Sequence, residues 1–155
     1  DGFSIVTVPD TRWDRVDIKS IALLPNVLAK KTAREQGARE AWFVETDGTV
    51  TEGSSSNAWI VTSGNEVVTR QADSAILKGI TRTVLLEVLK AHDLTLVERP
   101  FTVAEAIGAR EAFITSASQI VMPVVRIDGR PVGNGAPGLI ATALCADFHD
   151  YAEKS

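Results

Sequence analysis

Three turn signals, Asp47-Gly48, Ser63-Gly64-Asn65 and Asp128-Gly129, each lie between short runs of apolar and β-branched residues, and this arrangement constrains the fold more than any other feature. Asp-Gly suits a two-residue hairpin turn, in which the central residues take positive φ. The paired runs are Glu40 to Thr46 with Thr49 to Glu52, Ala58 to Val61 with Glu66 to Thr69, and Val124 to Asp128 with Arg130 to Val132. Further strands are expected at Ile5 to Val8, Trp13 to Ile18, Leu94 to Glu98 and Ala112 to Thr115. Sequential short hairpins imply mainly antiparallel β structure.

Helical signals interrupt the strands. Pro25-Asn26 opens a helix with Leu24, Val27 and Leu28 as an apolar stripe, Lys30, Lys31 and Arg34 as its solvated face, and Gly37 as its stop. A second helix begins near Ile80-Thr81, with Val84, Leu85, Val88 and Leu89 on one face. Thr102-Val103-Ala104-Glu105 matches a capping box. Pro137 starts the last helix, whose apolar face is Ile140, Leu144, Phe148 and Tyr151, with Asp147, Asp150 and Glu153 outside. The fold class is therefore α+β.

A chain of 155 residues is one typical domain with a sizeable core. With 45% hydrophobic and 23% charged residues it reads as globular, and no apolar run reaches the roughly 20 residues that span a bilayer. A net charge of -4 supplies no basic field, so nucleic acid is not an expected partner. Cys145 is the single cysteine, which excludes an internal disulfide and fits a reducing cytoplasm. With His92 and His149 scattered, no metal site is expected. The sequence opens at Asp1 with neither an initiator methionine nor a signal-like segment, and reads as a processed, trimmed or expressed piece.

Between Trp42-Phe43-Val44 and Ala58-Trp59-Ile60-Val61 lies Thr51-Glu52-Gly53-Ser54-Ser55-Ser56-Asn57, too polar for a buried strand and placed at a strand end, where loops carry function. A Ser-rich turn explains it equally well on spacing alone. Ser116-Ala117-Ser118-Gln119 is a second hydroxyl-rich patch at a strand end. Lys19 has apolar neighbours on both sides and no evident solvated face. Burial lowers a lysine pKa and frees the amine for carbonyl chemistry.

Taken in order, Asp17-Ile18-Lys19-Ser20, the Thr51 to Asn57 run, Leu77-Lys78-Gly79-Ile80-Thr81-Arg82 and Phe113-Ile114-Thr115-Ser116 resemble the fold-type IV pyridoxal phosphate enzymes, and within them the D-amino-acid aminotransferases. The resemblance spans essentially the whole chain and corresponds to the family's larger, carboxy-terminal domain (residues 1–155), with the smaller amino-terminal domain absent. It implies a barrel-like sheet with outer helices, pyridoxal 5'-phosphate as cofactor, an amino acid (a D-amino acid) and a 2-oxo acid as substrates, and a homodimer.

By resemblance, Lys19 carries the cofactor covalently and moves the proton at the substrate Cα. Glu52 faces the pyridine nitrogen and favours the protonated ring. Leu77 packs on the ring, and the backbone N–H groups of Ile80 and Thr81 at a helix amino end bind the phosphate together with Thr115 and Ser116. Ala117 stands where the family often has a further hydroxyl. Arg82 is read as a surface or salt-bridge residue outside the site. The family's cationic phosphate ligand and substrate-carboxylate groups belong to the smaller domain. A branched-chain L-amino-acid aminotransferase, an aminodeoxychorismate lyase and a non-catalytic cofactor-binding domain share these features. A serine hydrolase using Ser54, Ser55 or Ser56 lacks an evident base.

Overall fold

The strands over residues 40–43, 57–61 and 111–115 are buried at every position, so their alternating side chains feed two different cores. The computed structural model describes residues 1–154 and runs β1 (Phe3–Pro9), α1 (Leu24–Glu35), β2 (Glu40–Val44), β3 (Val50–Gly53), β4 (Asn57–Val61), β5 (Glu66–Thr69), α2 (Ile80–Leu89), β6 (Thr95–Glu98), α3 (Val103–Gly108), β7 (Glu111–Ser116), β8 (Ile120–Ile127), β9 (Arg130–Pro131) and α4 (Leu139–Lys154). The strands form one sheet in the order β3-β2-β1-β8-β7-β4-β5-β6, with β9 on β8.

Five of the eight pairings are antiparallel. The parallel ones, β1 with β2, β1 with β8 and β5 with β6, need long crossovers. Helix α1 spans the first and α2 the last. The hairpin turns form where expected: Asp128 and Gly129 take φ of 49° and 77°, and Gly48 takes 87°. The two ends of the strand order meet through the segment after β6. Val50 N donates to Phe101 O at 2.9 Å, Val103 N donates to Gly48 O at 3.2 Å, and Thr49 bridges Thr102. The sheet is thereby curled into a barrel-like form.

Inside the curl, Ile5, Trp42, Ile60, Phe101, Ile114 and Ile127 pack around Ala106 of α3. Residues one position along point outward. Trp59, Val61 and Phe113 meet Leu85, Val88 and Leu89 of α2 and Ala141 and Leu144 of α4, and the Trp59 and Phe113 rings stack at 5.5 Å. Val6, Ala41 and Phe43 meet Ala29 and Ala33 of α1. Two carboxylates organise helix starts. Glu105 completes the capping box with Thr102, and buried Glu111 accepts from Ile140 N at 3.0 Å and Ala141 N at 2.9 Å.

Four readings of the sequence are corrected here. Thr51, Glu52, Gly53 and Asn57, expected to be too polar for a buried strand, are buried in β3 and β4, because their polar groups are paired: Thr51 Oγ1 donates to Asp10, and Glu52 accepts from Arg12 and Asn57. Residues 13–18 form no strand, because local pairing wins: Arg15 grips Asp17 at 2.7 Å, Ile18 N turns back to Arg15 O, and Val16 N is tied to Ser74 O at 2.8 Å. Helix α1 faces the other way round, with Leu24, Val27 and Leu28 exposed and the small Ala29 and Ala33 against the sheet. Lys30 correspondingly turns in to Ser55 Oγ at 3.1 Å. Arg82 is 1% exposed, donating to Glu98 Oε1 at 2.8 Å and Arg70 O at 2.9 Å. It is the salt-bridge residue of the two expected alternatives, but not a surface one.

Candidate active site

The ends of β3, β4 and β7, the start of α2 and the segment before α1 open onto one cleft of about 650 Å³. Antiparallel register explains part of the convergence, since Asn57 of β4 lies opposite Thr115 of β7, bringing the two hydroxyl-rich patches side by side. Lys19, Glu52, Leu77, Ile80, Thr81, Thr115 and Ser116 all line this cleft. The structure therefore gathers the residues of four separated sequence blocks.

Glu52 is 6% exposed and sits in a network that the sequence does not announce. Arg12 Nη1 donates to Glu52 Oε1 at 2.6 Å, Leu77 N donates to the same oxygen at 3.1 Å, and Asn57 Nδ2 donates to Oε2 at 3.1 Å. Arg12 is itself buried, forks onto Asp10 (Nε to Oδ1 at 3.0 Å, Nη2 to Oδ2 at 2.8 Å), reaches Thr51 Oγ1 and Ala75 O, and lies 4.2 Å over the Phe43 ring. Burial pushes the Glu52 carboxyl up to about 7, with Arg12 pulling against it and Asp10 adding to it. For Asp10, burial is outweighed by the Arg12 guanidinium, which holds that carboxyl below its ordinary value. Glu52 is thus a carboxyl poised to exchange a proton near neutrality.

At the other end of the cleft, α2 begins at Ile80 with Gly79 as N-cap and no side chain capping its first turn. Backbone N–H groups and the helix dipole at such an end favour an anion. A Cβ at position 79 would lie 2.4 Å from Asn57 Oδ1, so a side chain there would displace the Asn57 amide that holds Glu52. Asn57 also donates to Leu77 O at 3.0 Å, so one amide links Glu52 to the approach of α2. The buried hydroxyl of Thr115 accepts from Trp59 Nε1 at 3.0 Å, which leaves its own hydrogen to donate. Ser116 Oγ accepts from Gln119 N at 3.1 Å, and Leu77 is half-buried.

Lys19 is exposed on the cleft rim, a correction to the expectation that it lies away from solvent. Its apolar neighbour Ile18 is 46% exposed and Ile21 is fully exposed, so apolar flanks in the sequence did not mean burial in this part of the chain. The serines are spoken for: Ser54, Ser55 and Ser56 all donate to the Glu40 carboxylate. Among the described residues no histidine lines the cleft, and His92 instead contacts Asp147 of α4 at 2.8 Å. Neither feature suits a serine nucleophile. No cluster of metal-ligating side chains occurs among the described residues.

A profile of the family described as amino-transferase class IV matches residues 3–127. The chain belongs to the class IV aminotransferase family. It is 44% identical to a D-alanine aminotransferase of Bacillus licheniformis over 89% of this chain and 48% of that protein. It is 42% identical to a D-alanine aminotransferase of Staphylococcus aureus (strain COL) over 99% of this chain and 54% of that one. Among solved structures, the branched-chain aminotransferase of the thermophilic archaeon Thermoproteus uzoniensis with norvaline superposes with a TM-score of 0.85 at 27% identity, over 96% of this chain and 50% of that one. A PLP-bound hypothetical aminotransferase from Mycobacterium tuberculosis gives 0.86 at 25%, over 96% and 55%. The chain spans about half the length of the relatives it matches.

The residues of the cleft fit such a cofactor. An uncapped helix end with hydroxyls beside it suits a phosphate, and a buried carboxyl near neutrality suits a basic ring nitrogen. Arg12, Asn57 and Asp10 are the members that sequence reading missed. Asn57 stood in the polar run, but Arg12 and Asp10 lay between two expected strands, in a stretch given no reading.

Proposed function

We propose that these residues are the larger, cofactor-binding domain of a PLP-dependent aminotransferase that moves an amino group between a D-amino acid and a 2-oxo acid. One observation carries the reading: Lys19, the poised Glu52 and the uncapped start of α2 line a single cleft in a chain of this family. Bound pyridoxal phosphate supplies the electron sink. Lys19 would hold the cofactor covalently and shuttle the proton at the substrate Cα. Glu52 would serve the ring nitrogen, Leu77 the ring face, and Ile80, Thr81, Thr115 and Ser116 the phosphate.

The D-amino acid preference is supported by relatives at 44% and 42% identity named as D-alanine aminotransferases, against 27% for the branched-chain structure. The groups that hold the substrate carboxylate are assigned to the smaller, amino-terminal domain of a protein about twice this length. A homodimer is supported by the apolar surface of Ile21, Leu24, Val27 and Leu28, all more than half exposed beside the cleft. No helix among the described residues is long and apolar enough to cross a membrane. A place in the cytoplasm is supported by the lone Cys145, a free thiol that suits a reducing compartment.

The test is borohydride reduction of the full-length protein with pyridoxal phosphate, followed by peptide mass mapping and by assays with D-alanine and L-leucine against 2-oxoglutarate. A reduced adduct on Lys19 and faster turnover of D-alanine are expected. An adduct on Lys30, Lys31 or Lys78 instead, or none, overturns the assignment.

A further inference from the structure

Glu40 opens β2 and is 2% exposed, facing the loop between β3 and β4. Its Oε1 accepts from Ser54 Oγ and from Ala41 N at 2.9 Å, and its Oε2 accepts from Ser56 Oγ at 2.8 Å, Ser55 Oγ at 3.2 Å and Ser55 N at 3.4 Å. Three successive hydroxyls thus converge on one buried carboxylate. The loop closes on itself through Gly53 N to Ser56 O at 2.7 Å and binds β2 through Ser54 N to Ala41 O at 2.9 Å. A Cβ at position 53 would lie 2.1 Å from Ser56 Oγ and 3.1 Å from Glu40 Oε2, so a side chain there would push Ser56 off the Glu40 carboxylate. Glu52 precedes this loop, and Asn57, which holds Glu52, ends it.

The same loop holds the segment that bears Lys19. Asn26 Nδ2 in the first turn of α1 donates to Ser54 O at 2.9 Å. Residues 20–23 bond to one another and to α1, Ala22 N to Ser20 Oγ, Leu23 N to Ile21 O and Val27 N to Leu23 O, with no bond to the sheet among the described residues, and residues 18, 21, 23 and 24 are exposed. Upstream, the segment is fastened by Val16 N to Ser74 O. Downstream, the first polar tie to the sheet is Asn26. We propose that Glu40 and Asn26 are positioning residues: Glu40 fixes the serine loop, Asn26 hangs the start of α1 on it, and the pair sets where Lys19 enters the cleft relative to Glu52. The inference rests on Lys19 being the reactive amine. A one-ångström displacement of a reacting group can cost about a hundredfold in rate.

The experiment uses the full-length protein with Glu40→Gln and, separately, Asn26→Ala, the second at a half-buried helix position whose loss spares the core. Amide hydrogen exchange is measured without cofactor, and kcat, KM and borohydride trapping with pyridoxal phosphate, D-alanine and 2-oxoglutarate. Exchange over residues 20–30 should quicken at least tenfold in both variants and over 53–57 in Glu40→Gln, while Phe113 to Thr115 of β7 stay protected. Turnover should fall at least tenfold with KM changed less than threefold, and trapping should remain on Lys19. Unchanged exchange in 20–30 in Asn26→Ala overturns the proposal, as does faster exchange with unchanged kcat. If Glu40→Gln also loosens β7, the Asn26→Ala result decides. Absence of trapping on Lys19 in the parent protein would instead sink the reactive-amine reading, a result separate from the exchange arm.

Discussion

Glu40 and Glu52 sit on adjacent antiparallel strands, both almost fully buried, and the protein stabilises them by opposite means. Glu40 is wrapped by three hydroxyls and two backbone N–H groups, with Lys30 Nζ no nearer than 3.9 Å. Glu52 has a guanidinium at 2.6 Å that it shares with Asp10, two further N–H donors, and one side on an open cleft. A cage of neutral donors suits a carboxylate that holds structure in place. Burial that outweighs a shared cation leaves a carboxyl whose proton comes and goes near neutral pH, which is what a cofactor site uses.

If the Glu52 side is the chemical one, the largest loss comes from its partner across the cleft. Lys19→Ala should abolish covalent capture of pyridoxal phosphate and lower turnover by at least roughly 10²- to 10⁴-fold, the range that a positioned proton-transfer group contributes. Residual capture on Lys78, which lines the same cleft, would break the comparison at its root.

Arg12→Met comes next. It strips the shared cation from the buried Glu52 and the half-buried Asp10 at once, and breaking a buried pair in this one-sided way costs about 3–5 kcal/mol. Urea unfolding at pH 8 measures it. Because Arg12 holds the Glu52 carboxyl down against burial, its removal should drive that carboxyl further up, so the loss should shrink as the pH falls. A loss of stability independent of pH would mean that Arg12 acts by packing on Phe43 alone.

Glu52→Gln should slow turnover more than tenfold while cofactor uptake persists, since the amide keeps a hydrogen bond without favouring a protonated ring. The sign of its pH effect follows from the direction of the shift. With the folded carboxyl at about 7 against an ordinary 4.5, the folded state retains a proton that the unfolded chain has released. Wild-type apoprotein therefore loses stability as pH rises from about 4.5 to about 7, by up to about 3 kcal/mol. The Gln variant should lack that slope, and an identical slope in both proteins would place the titration elsewhere.

The sequence made much of this legible, and its failures have a common cause. Local chemistry reads well: Asp128-Gly129 adopts positive φ at both residues, the Thr102 to Glu105 box closes, and α2 starts at Ile80. Contacts far apart along the chain do not read. Arg12 meets Glu52 across forty residues, and Glu40 meets Ser54 across fourteen. Nothing in the spelling of residues 10–12 betrays a buried fork. Periodicity misled at α1 because its larger side chains form a stripe that this chain leaves exposed, while two alanines make the contact with the sheet. A rule that equates apolar with buried fails on such an exposed stripe, the kind of surface that marks an interaction site.

The smallest expected effect is the one that tests the cage. Lys30 is the cation nearest Glu40, yet it stands 3.9 Å from Oε1, is 36% exposed at its side chain and gives its hydrogen bond to Ser55 Oγ. A half-exposed pair at that separation is worth less than about 1 kcal/mol. If the serine hydroxyls and the Ala41 N–H are what stabilise Glu40, Lys30→Met should cost under about 1 kcal/mol in urea unfolding, several-fold less than Arg12→Met. The two substitutions remove one cation each, from beside equally buried carboxylates on neighbouring strands. A loss at Lys30 as large as that at Arg12 would show that Glu40 depends on a counter-charge after all, and that hydroxyls alone do not sustain a buried carboxylate in this fold.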